Sequence, residues 1–199
     1  MELLKERIRQ EGLVLENRIL KVDSFLNQQI DPVLMMALGE EFARRFAAEG
    51  VQRIFTIEAS GIAIALPTAL RMGVPLVFAR KVRSTTMNDQ VYATQVHSYT
   101  KNITSDVIVS KRFLPPGEKV LIIDDFLANG EAALGLAELV RQAGSKVVGI
   151  GIAIEKSFQP GAAKIIKAGY RLESLARIAD FRSGQVRFVG EEPAPDVSI

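Results

Sequence analysis

Apolar residues recur along this chain in two alternating periods, one helical and one extended. MELLKERIRQEG puts Leu3, Leu4 and Ile8 on one face of an opening helix. Asp31-Pro32 reads as an N-cap followed by proline in the first turn, and VLMMALGEEFARRFAAE keeps helical spacing up to Gly50. RIFTIEA is short and rich in β-branched and aromatic residues, which predicts a strand. A break at Ser60-Gly61 follows, then IAIALPTALRMG, apolar on every side and so expected to be a buried helix that Pro67 kinks or delimits. VPLVFARK is a further strand, as is DVIVSKRF, which runs up to the Pro115-Pro116-Gly117 turn. KVLIIDD is almost wholly apolar, like strands in the middle of a parallel sheet. EAALGLAELVRQAG predicts a helix with Gly144 just past its end, SKVVGIGIAIEK a buried strand, QPGAAKIIKAG a short helix and RLESLARIADF a strand or sheet edge. Strands alternating with helices in this way predict an α/β fold with a mainly parallel central sheet flanked by helices. Two stretches stand outside the alternation. Val82 to Ser105 is polar, with VYATQVHSYT a hairpin arm or a loop, and the tail from Glu191, with Pro193 and Pro195, reads as frayed.

Composition narrows the chemistry. The 199 residues contain no Cys, which excludes thiol nucleophiles, cysteine-bound zinc, iron–sulfur clusters and disulfides. His97 is the sole histidine, so no cluster of histidines can hold a metal. A net charge of +2, from 25 basic against 23 acidic residues, is too balanced to grip duplex nucleic acid. No apolar run reaches the ~20 residues of a spanning helix, and the charged opening segment lacks the apolar core of a signal peptide. A single-domain, cytoplasmic protein that binds neither nucleic acid nor membrane is expected.

One segment carries chemistry. Val120 to Ile123 run into Asp124 and Asp125, then a loop from Phe126 to Gly130, then a helix. Ligands of open parallel sheets sit beyond the carboxyl ends of strands. Two adjacent carboxylates there can accept hydrogen bonds from neighbouring hydroxyls, as on a ribose, or help to hold a divalent cation. The helix that follows offers free N–H groups to a phosphate. The same residues could also be a plain strand-to-helix junction. A Walker B strand would look similar, but the chain has no G-x-x-x-x-G-K-[ST] loop to go with it. Gly149 and Gly151 lack the third glycine of a dinucleotide fingerprint and lie within a strand, which points to packing.

VLIIDDFLANGEAALG resembles the phosphoribosyl pyrophosphate signature of type I phosphoribosyltransferases: an apolar strand, an acidic pair, a loop of small residues and a helix. Its Phe-Leu-Ala-Asn-Gly form, with GLVLENRILKVDSFLNQQIDP near the start, is similar to the xanthine-using branch of that family. The resemblance spans essentially the whole chain. It implies one domain over 1–199, with a base-binding hood from about 1–30 and the part after about 155, a core over about 31–154 and a flexible lid over Val82 to Ser105, which contains Tyr92 and His97. His97 is not expected to be a catalyst.

By this resemblance Asp124 and Asp125 are the catalytic pair fixing the ribose. Phosphoribosyl pyrophosphate (PRPP) would be held by Ala128, Asn129, Gly130, Glu131 and Ala132, by Ala59, Ser60 and Gly61 at the pyrophosphate end, and by the basic pair Arg80 and Lys81. Xanthine would be contacted by Leu20, Asn27 and Lys156. Mg²⁺ would arrive with PRPP, bound through its oxygens and water rather than by protein ligands, and a homodimer is implied. Most relatives carry a Thr-Gly-Gly-Thr-like phosphate loop, whereas this chain has Ala128-Asn129-Gly130-Glu131-Ala132. Backbone N–H groups must therefore do more of the binding, and Glu131 is expected to face solvent or a cation. The alternatives are a guanine or hypoxanthine enzyme of the same fold, or a regulatory protein that senses the sugar diphosphate without catalysis.

Overall fold

The computed structural model describes residues 1–81, 90–98, 103–182 and 184–191. In chain order its elements are α1 (Glu2–Glu11), β1 (Leu13–Leu15), β2 (Ile19–Lys21), α2 (Pro32–Arg45), β3 (Arg53–Ile57), α3 (Ser60–Met72), β4 (Leu76–Lys81), β5 (Val91–Ser98), β6 (Ile103–Ser110), β7 (Lys119–Leu127), α4 (Glu131–Gln142), β8 (Lys146–Lys156), α5 (Gly161–Lys167), β9 (Leu172–Arg182) and β10 (Gln185–Phe188). Eight strands form one sheet in the order β10-β9-β8-β7-β3-β4-β6-β5. The five central strands are parallel, and the flanking ones, β10 on one side and β6 with β5 on the other, are antiparallel. From β3 the chain steps outward through α3 to β4, and from β7 it steps the other way through α4 to β8. The order therefore reverses between β3 and β7, and a crevice at such a reversal is where open α/β sheets bind ligands.

Alternation along the apolar strands feeds two cores. Leu121 and Ile123 of β7 join α1, α2 and α3 on one face, while Val120 and Ile122 join α4 and α5 on the other. Asp31 caps α2, its Oδ1 accepting from Val33 N at 2.9 Å and Leu34 N at 3.0 Å, and its other oxygen accepts from Arg7 Nη1 at 2.6 Å, which ties α1 to the start of α2.

Gly149 and Gly151 serve packing. A Cβ on Gly149 would lie 2.2 Å from Cε1 of Phe46, and one on Gly151 would lie 2.8 Å from Cδ1 of Phe42, so α2 lies against bare backbone of β8. Gly149→Ala is expected to lower stability by roughly 1–3 kcal/mol, the usual penalty of overpacking. Equilibrium denaturation reads it directly, and an unchanged midpoint would show that Phe46 can move aside.

Several expectations need correction. Leu4 and Ile8 are buried as predicted, but Leu3 is exposed. α3 is not buried all round, since Leu66 and Leu70 face outward at 59% and 70% exposure, and Pro67 lies inside the helix rather than ending it. Pro67 packs against Gly39 of α2, where an added Cβ would meet it at 2.7 Å, so helix contact holds a residue that local preference would place at an end. β9 is no edge, because β10 pairs outside it. The strand predicted over DVIVSKRF begins earlier, at Ile103, and ends at Ser110, with a 3₁₀ turn over Lys111–Phe113. Of the segment expected to be a lid, residues 82–89 and 99–102 lie outside the described residues, and Val91–Ser98 pairs with Ile103–Ser110 as an antiparallel hairpin. The tail beyond Glu191 lies outside them as well.

Candidate active site

β3 and β7 are neighbours, and each runs into a helix whose first N–H groups have no side-chain cap: α3 behind Ala59, and α4 behind Gly130. α2 shows the contrast, with its Asp31 cap. Uncapped N-termini carry free donors and the positive end of the helix dipole, and two of them flank the reversal point of the sheet. Gly130 has φ +87°, a left-handed conformation that turns β7 into α4 and that a side chain would oppose.

The acidic pair lies in β7 as expected, but the strand runs on to Leu127, so Phe126 and Leu127 belong to it rather than to the loop. Asp124 is 4% exposed, and its Oδ1 accepts from Asp125 N at 3.0 Å. Burial raises its pKa well above the ordinary carboxylate range, the negative charge of Asp125 adds to this, and Lys81 opposes it. Asp124 therefore holds a proton more readily than an exposed aspartate, while Asp125 is only half-buried. Beside Asp124, Thr56 is fully buried at the end of β3 with no hydrogen-bond partner for its hydroxyl among the described residues. Gly61 closes this corner: a Cβ there would lie 2.2 Å from Thr56 Oγ1 and 3.0 Å from Asp124 Oδ1.

The structure brings the expected pyrophosphate elements together. Glu58 Oε1 accepts from Lys81 N at 2.8 Å and Arg80 Nε lies 3.7 Å from Glu58 Oε2, so the ends of β3 and β4 are joined where Ala59, Ser60 and Gly61 begin α3. On the other side Ala128 and Asn129 form the loop into α4, with Glu131 and Ala132 in its first turn. Gly161 N donates to Ala128 O at 3.0 Å, and Lys164 Nζ donates to Glu131 Oε1 at 2.7 Å. α5 thus braces the loop, a role the sequence did not disclose because its residues lie thirty positions downstream.

The expected base contacts are joined less completely. Lys156, at the end of β8, donates to Arg18 O in the β1–β2 turn at 3.2 Å and lies over the ring of Phe181 at 5.9 Å, and burial lowers its pKa. Phe158 packs edge-on against Phe181 at 5.5 Å between ring centres. Leu20 is buried on β2, and Asn27 is exposed at the end of a π-helical turn, Asp23–Asn27. Among the described residues Lys156 is linked to the N-terminal hairpin by its bond to Arg18, and Asn27 has no comparable link. Glu155, next to Lys156, is 2% exposed and accepts from Ser157 Oγ and Ser174 Oγ, each at 2.5 Å, and from Arg177 Nε at 3.2 Å, which fixes the strand end. His97 lies on β5, its Nδ1 3.1 Å from Thr104 Oγ1 of the paired strand.

A doubly wound sheet with two uncapped helix N-termini beside an acidic pair is an arrangement suited to phosphate and to sugar hydroxyls. The chain belongs to the phosphoribosyl transferase domain family, whose model matches residues 35–171. It is 54% identical over 189 residues to the xanthine phosphoribosyltransferase of Stutzerimonas stutzeri, covering 95% of this chain and 100% of that protein. It is 55% identical to the xanthine phosphoribosyltransferase of an Exiguobacterium species, covering 95% and 98%. Among solved structures, adenine phosphoribosyltransferase from Thermoanaerobacter pseudethanolicus superposes with a TM-score of 0.73 at 24% identity, covering 87% of this chain and 99% of that one. The enzyme from Giardia lamblia with 9-deazaadenine gives 0.74 at 22%, covering 87% and 97%. These structural likenesses carry the fold.

Proposed function

We propose that this chain transfers the 5-phosphoribosyl group of PRPP to N9 of xanthine, giving xanthosine 5′-monophosphate and pyrophosphate, as a pentosyltransferase of purine salvage. The observation that carries this is the acidic pair on β7 feeding the uncapped start of α4, in a chain over half identical to xanthine phosphoribosyltransferases. Asp124 and Asp125 accept hydrogen bonds from the ribose hydroxyls and fix the ring. The N–H groups of Ala128 to Ala132 hold the 5′-phosphate, and the turn from Ala59 to Gly61, with Arg80 and Lys81, holds the pyrophosphate. The C1′–oxygen bond breaks with its electron pair leaving on pyrophosphate, positive charge builds on the ribosyl ring, and N9 forms the new bond while the base loses its ring proton to solvent. No protein nucleophile is needed, so catalysis is positioning and electrostatic stabilisation.

Mg²⁺, when bound, neutralises charge on the leaving pyrophosphate. By the family resemblance such an ion would take most of its ligands from PRPP oxygens and water.

Xanthine carries oxo groups at C2 and C6, which call for donors, and Lys156 and Asn27 both supply them. Adenine offers an amino group at C6, against which an ammonium is repulsive. Lys156→Ala is expected to lower kcat/KM for xanthine by about 1.5–3 kcal/mol of transition-state binding, the scale of a hydrogen bond to a charged group. An unchanged value would remove Lys156 from the base site.

The decisive assay mixes protein, PRPP and Mg²⁺ with xanthine, guanine, hypoxanthine or adenine and measures nucleotide and pyrophosphate. Product from xanthine far above the rest supports the reading. Product mainly from guanine or hypoxanthine keeps the chemistry but discards the roles of Asn27 and Lys156, and no product from any base overturns catalysis in favour of a PRPP sensor. The resemblance also implies a cytoplasmic homodimer. No helix among the described residues is long and apolar enough to cross a membrane. Val33 and Met36 on α2 and Leu66 and Leu70 on α3 are exposed apolar side chains that pairing would cover, and sedimentation equilibrium tests it.

A further inference from the structure

Glu131 poses a problem for the phosphate site. It is the first residue of α4, and its N-cap is a glycine with no side chain to occupy the free N–H groups. A carboxylate in the first turn of a helix is itself drawn to that positive end. Left alone, the Glu131 side chain would compete with an incoming phosphate for the same donors and repel it by charge.

We propose that Lys164 is a positioning residue for phosphate recognition: it pairs with Glu131 and holds that carboxylate away from the donors at the start of α4, a role that rests on the PRPP reading of this loop. Its ammonium lies 2.7 Å from Glu131 Oε1. α5 is set against the loop so that this distance is maintained. Gly161 N donates to Ala128 O at 3.0 Å. A Cβ on Gly161 would stand 2.4 Å from Ala128 O and 2.9 Å from Gly130 N, so only glycine permits so close an approach. Lys164 follows Gly161 by three residues and lies near the same face of α5. The two side chains are 40% and 33% exposed, and ion pairs at such exposure add little to folding stability, so the pair is better explained by what it does to the loop than by what it adds to the fold. The departure from a Thr-rich phosphate loop fits the same account: a loop that binds by backbone N–H groups is more vulnerable to a stray carboxylate than one that adds hydroxyl donors.

The test compares steady-state kinetics of wild type, Lys164→Met and the double variant Lys164→Met with Glu131→Gln, together with their melting temperatures. Lys164→Met is expected to raise KM for PRPP about two- to fivefold, the scale of one charge at a helix N-terminus. Its kcat, KM for xanthine and melting temperature should stay near those of wild type. Adding Glu131→Gln should return KM for PRPP most of the way, because the competing charge is gone. A KM for PRPP unmoved by Lys164→Met overturns the proposal. So does a double variant as impaired as the single one, since Lys164 would then act on the phosphate directly. Failure of the underlying reading is visible in wild type alone, as product formation that does not saturate with PRPP, and would overturn both.

Discussion

Asp124→Asn should leave the protein at least as stable as its parent at neutral pH while lowering kcat/KM by about 10² or more, the scale of removing one preorganised group that meets the transition state. Stability is spared because burial already favours the neutral acid at this position, and an amide oxygen can still accept from Asp125 N. The sign of the pH dependence follows. A carboxyl whose pKa is raised on folding binds its proton more tightly in the folded state. Its contribution is fully present below the unfolded value near 4 and is lost as pH rises towards the folded one. Asparagine has no such loss, so the variant's melting temperature should gain on the parent's as pH rises from about 4 to neutrality. A gap that is constant or shrinks over that range would mean that Asp124 is ionised at rest. Activity suffers because a ribose hydroxyl needs an acceptor: the carboxyl can release its proton and accept when the sugar diphosphate binds, whereas the amide nitrogen can only donate, and a kcat/KM within a few-fold of wild type would take Asp124 out of the site.

Gly61→Ala is expected to damage fold and function together. The added methyl would stand 2.2 Å from Thr56 Oγ1, on a fully buried residue of β3, and 3.0 Å from Asp124 Oδ1. Neither neighbour is the free end of a flexible chain, so the start of α3 must move. Overpacking of this kind costs roughly 1–3 kcal/mol. A shift of about 1 Å in a positioning element can cost about 10²-fold in rate. Denaturation and kcat/KM measured on the same samples should show both losses. Thr56→Ala in the Gly61→Ala background should recover part of the stability, because it removes the nearest clashing atom and a hydroxyl with no partner among the described residues. If the double variant is no more stable than Gly61→Ala, the conflict lies elsewhere.

The central strands were legible in the sequence because a strand covered on both faces is almost wholly apolar, as VLII of β7 is. The α4 junction was legible too, since an acidic pair, a glycine and a helix lie within a few residues. What the chain hid is what tertiary contact decides. Pro67 sits mid-helix because α3 leans on Gly39, and Leu66 and Leu70 face outward although their neighbours are buried. The short hairpin of β1 and β2, the π-helical turn before Asn27 and the edge strand β10 have too few residues to establish a period. Thr56, Gly161 and Lys164 are ordinary letters in the sequence. They matter only because β3 lies beside β7 and α5 folds back on the loop after it.

The segment we propose as a base-binding hood has, among its described residues, no core of its own. Leu4 and Ile8 of α1, Leu20 of β2 and Phe25 and Leu26 of the π-helical turn belong to the same apolar cluster as α2, α3 and the inner residues of β7 and β9. A base-recognition segment built this way is not a detachable module. Loosening it exposes the apolar faces of α2 and α3, so α1, the β1–β2 hairpin and the helices that flank the acidic pair are expected to melt as one cooperative unit. Grafting another N-terminal segment would therefore mean refilling one of the two apolar clusters, whereas single substitutions at the proposed base contacts, Asn27 or Lys156, leave that interior untouched.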